Sequence, residues 1–244
     1  MSNPFFILIS GAWHTSETFK KLHTGVISKP SVGGSSEKGL HADIQHTKSI
    51  IEKLFLAGKK VVAVNHSYAG LVDASAVEGL GYKQRARRGE SGGVIMVVWM
   101  GSFVTPKGKS LFNLLGGRWT ERIKPNYETG YCHSCQAEKM FYNDLSIEEA
   151  QMWISKLESQ TLKTFLEPAL YEPWRDVPSV YIFCEQDGAI EIGTQEKYPR
   201  TLGDPVAYRI DASHSPFLSR PDEVVNALEI ASREGQVKSE ITMD

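Results

Sequence analysis

The sequence predicts an α/β fold: a mostly parallel central sheet flanked by helices, with a helical cap inserted in the second half. Three observations carry this. Short, continuous apolar runs recur, such as Phe5 to Ile9, Val61 to Val64 and Val94 to Met100, as expected of strands covered on both faces. Stretches of helical period lie between them, and that alternation specifies a parallel sheet with right-handed crossovers. The rhythm breaks once, between Thr105 and Pro178, and then resumes.

The elements follow in order. After the first strand, Ser10-Gly11-Ala12-Trp13-His14 leads into a polar stretch, Thr15 to Lys21, of short-helix character. Val26-Ile27 forms a brief second strand before a loop of turn formers, Lys29 to Ser36. Leu40, Ile44, Ile50, Ile51, Leu54 and Phe55 fall near helical spacing, and Gly58 closes that helix. Strand Val61 to Val64 is followed by a helix from Tyr68 to about Glu78, then a basic stretch, Lys83 to Arg88, read as a solvated connection. Pro106, Gly108, Gly116-Gly117 and Pro125 break the next region, before a helix capped by Ser146 and Glu149 that runs through Trp153 to Phe165. Residues 105–178 are therefore read as a cap insertion, and 1–104 with 179–244 as the core. The core resumes with strand Val180 to Cys184, a helix around Glu191 to Tyr198, strand Val206 to Ile210 and a closing helix from Pro221 to about Arg233.

The totals narrow the function classes. A chain of 244 residues buries a substantial core without staples. Net charge is −2 with both signs mixed, which favours neither a nucleic-acid nor a membrane partner. Cys132, Cys135 and Cys184 are too few and odd in number for a disulfide framework, as expected in a reducing compartment. Phe5 to Ile9 is too short for an export signal, no run approaches the ~20 apolar residues of a membrane helix, and Glu240 to Asp244 matches no sorting signal. A soluble cytoplasmic protein is expected. Cys132-His133-Ser134-Cys135 has zinc-like spacing, but no second pair follows, so no metal is expected.

The chemistry gathers at strand ends. Val61-Val62-Ala63-Val64-Asn65-His66-Ser67-Tyr68-Ala69-Gly70 is a strand, a serine and a helix start, the layout of a nucleophile elbow. Such a turn calls for small residues two before and two after the serine, here Asn65 and Ala69. A serine hydroxyl needs a base, and the base an orienting acid. Asp187 follows the strand ending at Cys184, and His214 lies in the loop after the last strand. The order Ser67, Asp187, His214 is one of the known triad orders. Backbone N–H groups of Ala12 and Tyr68 are the expected oxyanion donors, with Gly11 keeping the first loop flat. Trp13 is the aromatic placed in the substrate pocket.

Ser10 to His14, Asn65 to Gly70, Cys184-Glu185-Gln186-Asp187 and Ser213-His214-Ser215-Pro216-Phe217-Leu218 resemble the small α/β-hydrolases of the plant methylesterase and hydroxynitrile lyase group. Phe141-Tyr142-Asn143-Asp144, before the Trp153 helix, resembles their fungal members. The resemblance implies a triad of Ser67, His214 and Asp187, an oxyanion hole at Ala12 and Tyr68, no cofactor, and a homodimer as family-level assembly. The family usually has His where Ser10 stands and Gly at Asn65 and Ala69.

The expected function is a serine hydrolase cleaving an ester, lactone or thioester of a small, largely apolar molecule through an acyl-enzyme. A cofactor-free lyase or cyclase of secondary metabolism, using the same triad as acid and base, is the alternative. A non-catalytic ligand-binding module is the third reading, and an intact triad argues against it.

Overall fold

A computed structural model describes residues 3–22 and 25–240. The C-terminal residues 241–244, part of the stretch read for sorting signals, lie outside the described residues. Nine strands are numbered in chain order: β1 (Phe5–Ile9), β2 (Gly25–Ile27), β3 (Lys60–His66), β4 (Gly93–Met100), β5 (Ile123–Asn126), β6 (Tyr131–Ser134), β7 (Gln160–Thr161), β8 (Ser179–Cys184) and β9 (Val206–Ile210). Among the described residues, six of them form the main sheet in the order β2-β1-β3-β4-β8-β9, every neighbouring pair parallel.

The central strands are apolar along their length because helices cover both faces. Every residue of β4 is buried, as is β3 from Val61 to His66. The helices Leu40–Phe55 and Ala69–Ala76 pack on one another, and the closing helix Pro221–Glu240 packs against β4. Parallel strands end at one edge, so the residues after β1, β3, β4, β8 and β9 converge there, where ligands gather in such sheets.

Several element bounds differ from the sequence reading. The helix after Ser67 spans Ala69–Ala76, and the closing helix continues to Glu240. The basic stretch is a short helix, Tyr82–Arg87, rather than a bare connection. The expected helix Glu191 to Tyr198 is two short ones, Ile192–Gln195 and Tyr198–Thr201.

The largest difference lies between β4 and β8. The helix capped by Ser146, whose Oγ accepts from Glu149 N at 3.2 Å, ends at Ile154 instead of reaching Phe165. Beyond it the chain bonds to core loops: Glu158 N donates to Trp13 O, and Ser159 O accepts from Gly33 N, both at 2.9 Å. Gln160–Thr161 then pairs with β6, so β5, β6 and β7 make a small antiparallel sheet. Tertiary pairing overrides the helical period, which is only a weak prior. The short helices Ala137–Phe141 and Lys163–Leu166 flank this sheet.

Candidate active site

Ser67 sits in the turn out of β3 with φ 59°, the left-handed region that a non-glycine residue adopts only when its surroundings enforce it. The loop after β4 supplies the enforcement. Ser102 Oγ and Phe103 N both donate to Ser67 O, at 2.9 and 3.2 Å. The close approach that demands glycine falls at Gly70, where a Cβ would stand 2.1 Å from Phe103 O. Ala69 and Asn65, the positions flagged by the sequence reading, are accommodated with both residues fully buried. Gly11 is needed for the same reason, since its Cβ would stand 2.9 Å from Ser67 Cβ.

The structure brings Asp187 and His214 together. His214 Nδ1 lies 2.7 Å from Asp187 Oδ2, and both residues are buried. Asp187 Oδ1 accepts from Ala189 N at 2.8 Å and Ile190 N at 2.7 Å, while Gln195 Nε2 lies 3.2 Å from Oδ2. Four donors converge on one carboxylate, which suits an ionised, acceptor-only group. With Nδ1–H spent on Asp187, His214 Nε2 is the acceptor nitrogen. It has no hydrogen-bond partner among the described residues.

Two further histidines surround this pair. His66 Nε2 lies 2.7 Å from His214 O, and a carbonyl only accepts, so that nitrogen carries the proton. His14 Nδ1 donates to Ala12 O at 2.7 Å for the same reason, leaving Nε2 to accept from Tyr142 Oη at 2.9 Å. Burial pushes His14 down to about 3 and His66 well below the usual imidazole range, so both are neutral.

The loop Ser10–His14 is held at each carbonyl. Ser10 O and Gly11 O accept from Lys29 Nζ, Ala12 O from His14, Trp13 O from Glu158 N, and His14 O from Ser10 Oγ. Neither Ala12 N nor Tyr68 N donates to a backbone acceptor among the described residues. Ala12, Tyr68 and Ser67 line one cavity of about 370 Å³. Its walls are largely apolar, with Trp13, Phe103, Leu111, Leu115, Phe141 and Phe165, while Arg122 and Glu191 form a charged pair at 3.0 Å on its rim. Trp13 lines this cavity with φ 63°, its indole N–H donating to Cys132 O at 3.0 Å.

Sequence reading missed the residues that hold these loops. Gln195 Oε1 accepts from Cys184 N, and its amide nitrogen reaches Cys184 O and Ile190 O. Phe141-Tyr142-Asn143-Asp144 clasps the loops after β8 and β9 at once. Asn143 Nδ2 donates to Gln186 O at 3.0 Å, and Asp144 Oδ2 accepts from Ser213 N at 2.9 Å and Ser219 Oγ at 2.6 Å. In the sequence this tetrapeptide was marked only by its resemblance to fungal members of the group, ahead of the Trp153 helix, and not by any bracing role.

Comparison with known proteins agrees with this architecture. The alpha/beta hydrolase family model matches residues 6–227. The chain is 30% identical to the alpha/beta hydrolase nvfD of Aspergillus novofumigatus over 96% of its own length and 98% of that protein. Among solved structures, polyneuridine aldehyde esterase superposes with a TM-score of 0.74 at 16% identity, covering 94% of this chain and 99% of that one. Tomato methylketone synthase I, solved with 2-tridecanone, gives 0.77 at 13% identity, covering 96% and 99%. No helix among the described residues is long and apolar enough to cross a membrane. With the six-stranded sheet, the strand-end site and a family match over most of its length, the protein belongs to the alpha/beta hydrolase family and is an enzyme of that family.

Proposed function

We propose that the protein is a serine hydrolase cleaving an ester, lactone or thioester of a small, largely apolar molecule. The observation that carries this reading is the 2.7 Å His214–Asp187 contact at the sheet edge that also presents Ser67. In the reaction, His214 Nε2 takes the Ser67 hydroxyl proton as Oγ attacks the carbonyl carbon. The carbonyl oxygen becomes an oxyanion, met by the Ala12 and Tyr68 N–H groups, each such donor being worth roughly 3–4 kcal/mol. The leaving alcohol or thiol departs with the proton held on Nε2, which leaves Ser67 acylated. Water then gives a proton to His214, attacks the acyl carbon and releases the acid, and the proton returns to Ser67. Asp187 keeps Nε2 in the accepting tautomer and stabilises the imidazolium.

The cavity volume of about 370 Å³ suits one small molecule. Its apolar walls come mainly from the segment between β4 and β8, which acts as a cap and selects the substrate. A panel of p-nitrophenyl esters, lactones and thioesters tests this. Wild type should turn over at least one class with a burst matching the enzyme concentration, and Ser67→Ala should turn over none.

A second reading, a cofactor-free lyase or cyclase, is favoured by the unpartnered His214 Nε2, a base not committed to the serine hydroxyl. It expects product from carbon–carbon cleavage or ring closure in a metabolite screen, lost in His214→Ala, with no ester turnover.

A further inference from the structure

We propose that Lys29 is the positioning residue of the oxyanion loop, its buried ammonium locking the Gly11–Ala12 peptide so that the Ala12 N–H faces the Ser67 site. This rests on the reading of Ser67 as nucleophile. Lys29 comes from the turn-rich loop after β2, and sequence reading gave it no role. It is 4% exposed, which a lysine rarely is without a partner for each proton.

Its three donors all go to one loop. Nζ lies 2.6 Å from Ser10 O, 2.7 Å from Gly11 O and 2.8 Å from Ser10 Oγ. A peptide unit is planar and trans, so its C=O and N–H point opposite ways. Holding Gly11 O on the Lys29 side turns the Ala12 N–H to the other side. That other side is the active cavity, which Ala12 and Ser67 both line. The cation also polarises the Gly11 carbonyl it holds, and hydrogen bonds in such a chain strengthen one another.

The charge is balanced from behind the site. Asp43 in helix Leu40–Phe55 favours the ammonium form of Lys29. Its carboxylate is itself held by Ser31 N at 3.0 Å, Ser31 Oγ at 2.6 Å and Tyr68 Oη at 3.0 Å. Tyr68 owns the second oxyanion N–H, so one buried network reaches both donors. Gln160 ties the network to the cap, donating to Ser31 Oγ at 2.8 Å and accepting from Trp13 N at 3.1 Å.

Burial pulls Lys29 down to about 7 against the pull of Asp43. Two carbonyls and a hydroxyl that already donates to His14 O match –NH₃⁺. Loss of the proton therefore either leaves one oxygen facing a lone pair or draws the Ser10 hydroxyl off His14 O and loosens the loop. The other groups that face Lys29 are the Tyr68 ring, 5.8 Å from Nζ, and the neutral His14 and His66.

The test is the rate of covalent labelling by a fluorophosphonate, resolved into maximal rate and half-saturating concentration. In Lys29→Met the maximal rate should fall about 10- to 100-fold, less than when a donor is removed outright. The half-saturating concentration should change less than about threefold. Lys29→Gln, which keeps two N–H groups, should lie between. Wild-type labelling should decline as the pH rises from about 7 to about 9, and Lys29→Arg should lose that decline. Asp73 ionises in the same range, so Asp73→Asn is run alongside and should keep it. Folded Lys29→Met or Lys29→Gln labelling at the wild-type rate, or a wild-type rate undiminished to pH 9, overturns the proposal. No labelling of wild type defeats the Ser67 reading instead, so the two failures are distinct. If Lys29→Met does not fold, Lys29→Gln and the wild-type pH profile decide.

Discussion

Every residue of β4 is buried, whereas the helix Ile147–Ile154 between β4 and β8 buries only Ala150, and its Ile147 is 70% exposed. The two regions meet at one cavity but contribute differently to it. In the proposed reaction the sheet supplies the reacting groups from strand ends, with β3 and β8 flanked by strands on both sides and β9 on one. Burial in a close-packed interior makes such positions intolerant of shape change. The segment between β4 and β8 supplies apolar walls from short elements, some fully buried, such as Phe141 and Phe165, and some only partly so, such as Leu115. Changes at the partly buried wall positions should therefore be cheap for folding and, in the proposed function, direct for substrate choice. Where the two touch, through Asn143 to Gln186 and Asp144 to Ser213, the outer region also braces the inner one.

The comparison can be broken most sharply from the sheet side. Ser67→Ala should cut turnover by at least about 10⁴-fold, with the thermal transition unchanged within error. Asp187→Asn should lower kcat by roughly 10⁴-fold through the wrong His214 tautomer. Steady-state kinetics against circular dichroism would show whether either loss is merely misfolding.

Stability answers to the core in a pH-dependent way. Asp73, in helix Ala69–Ala76, is fully buried with neither carboxylate oxygen partnered among the described residues, and burial pushes it up to about 7. The folded state therefore holds this proton more tightly than the unfolded chain. Its contribution is fully present below the unfolded value of 3.8 and is lost as pH rises towards 7. Relative to wild type, Asp73→Asn should gain up to ~4 kcal/mol on going from about pH 4 to about pH 8, read by urea unfolding.

Changes in the outer region should be smaller and of another kind. Leu115→Ala, on the cavity wall, should shift kcat/KM between short and long acyl substrates by about 10- to 100-fold, with the unfolding midpoint little moved. An equal loss for all substrates would mean that the wall positions the catalytic groups after all. Ser146→Ala removes the cap of helix Ile147–Ile154 and should cost about 1 kcal/mol, leaving the kinetics of short esters unchanged.

Much of the inner region was legible because its signals are local. Ser67 and Asp187 follow apolar runs and His214 the strand-like stretch Val206 to Ile210, all ending at the same sheet edge, and parallel topology does the rest. The bracing was not legible. Gln195 and Lys29 are polar residues in loops or short helices, and their partners become neighbours only when the chain folds. The helix expected to reach Phe165 failed for a related reason. Trp153 and Leu157, then Leu162 and Phe165, keep helical spacing, yet Glu158 and Ser159 are claimed by backbone groups of Trp13 and Gly33. The departure at Ser10 likewise acquires a meaning that sequence could not supply, since its hydroxyl oxygen joins the Lys29 cluster.

The central claim is that Ser67 is a nucleophile primed at this sheet edge. Intact-mass spectrometry after fluorophosphonate treatment, with peptide mapping, addresses it most directly. The account predicts one adduct per chain, mapped to Ser67 and absent from Ser67→Ala. A folded wild type that takes no adduct, or an adduct that survives in Ser67→Ala, would contradict it.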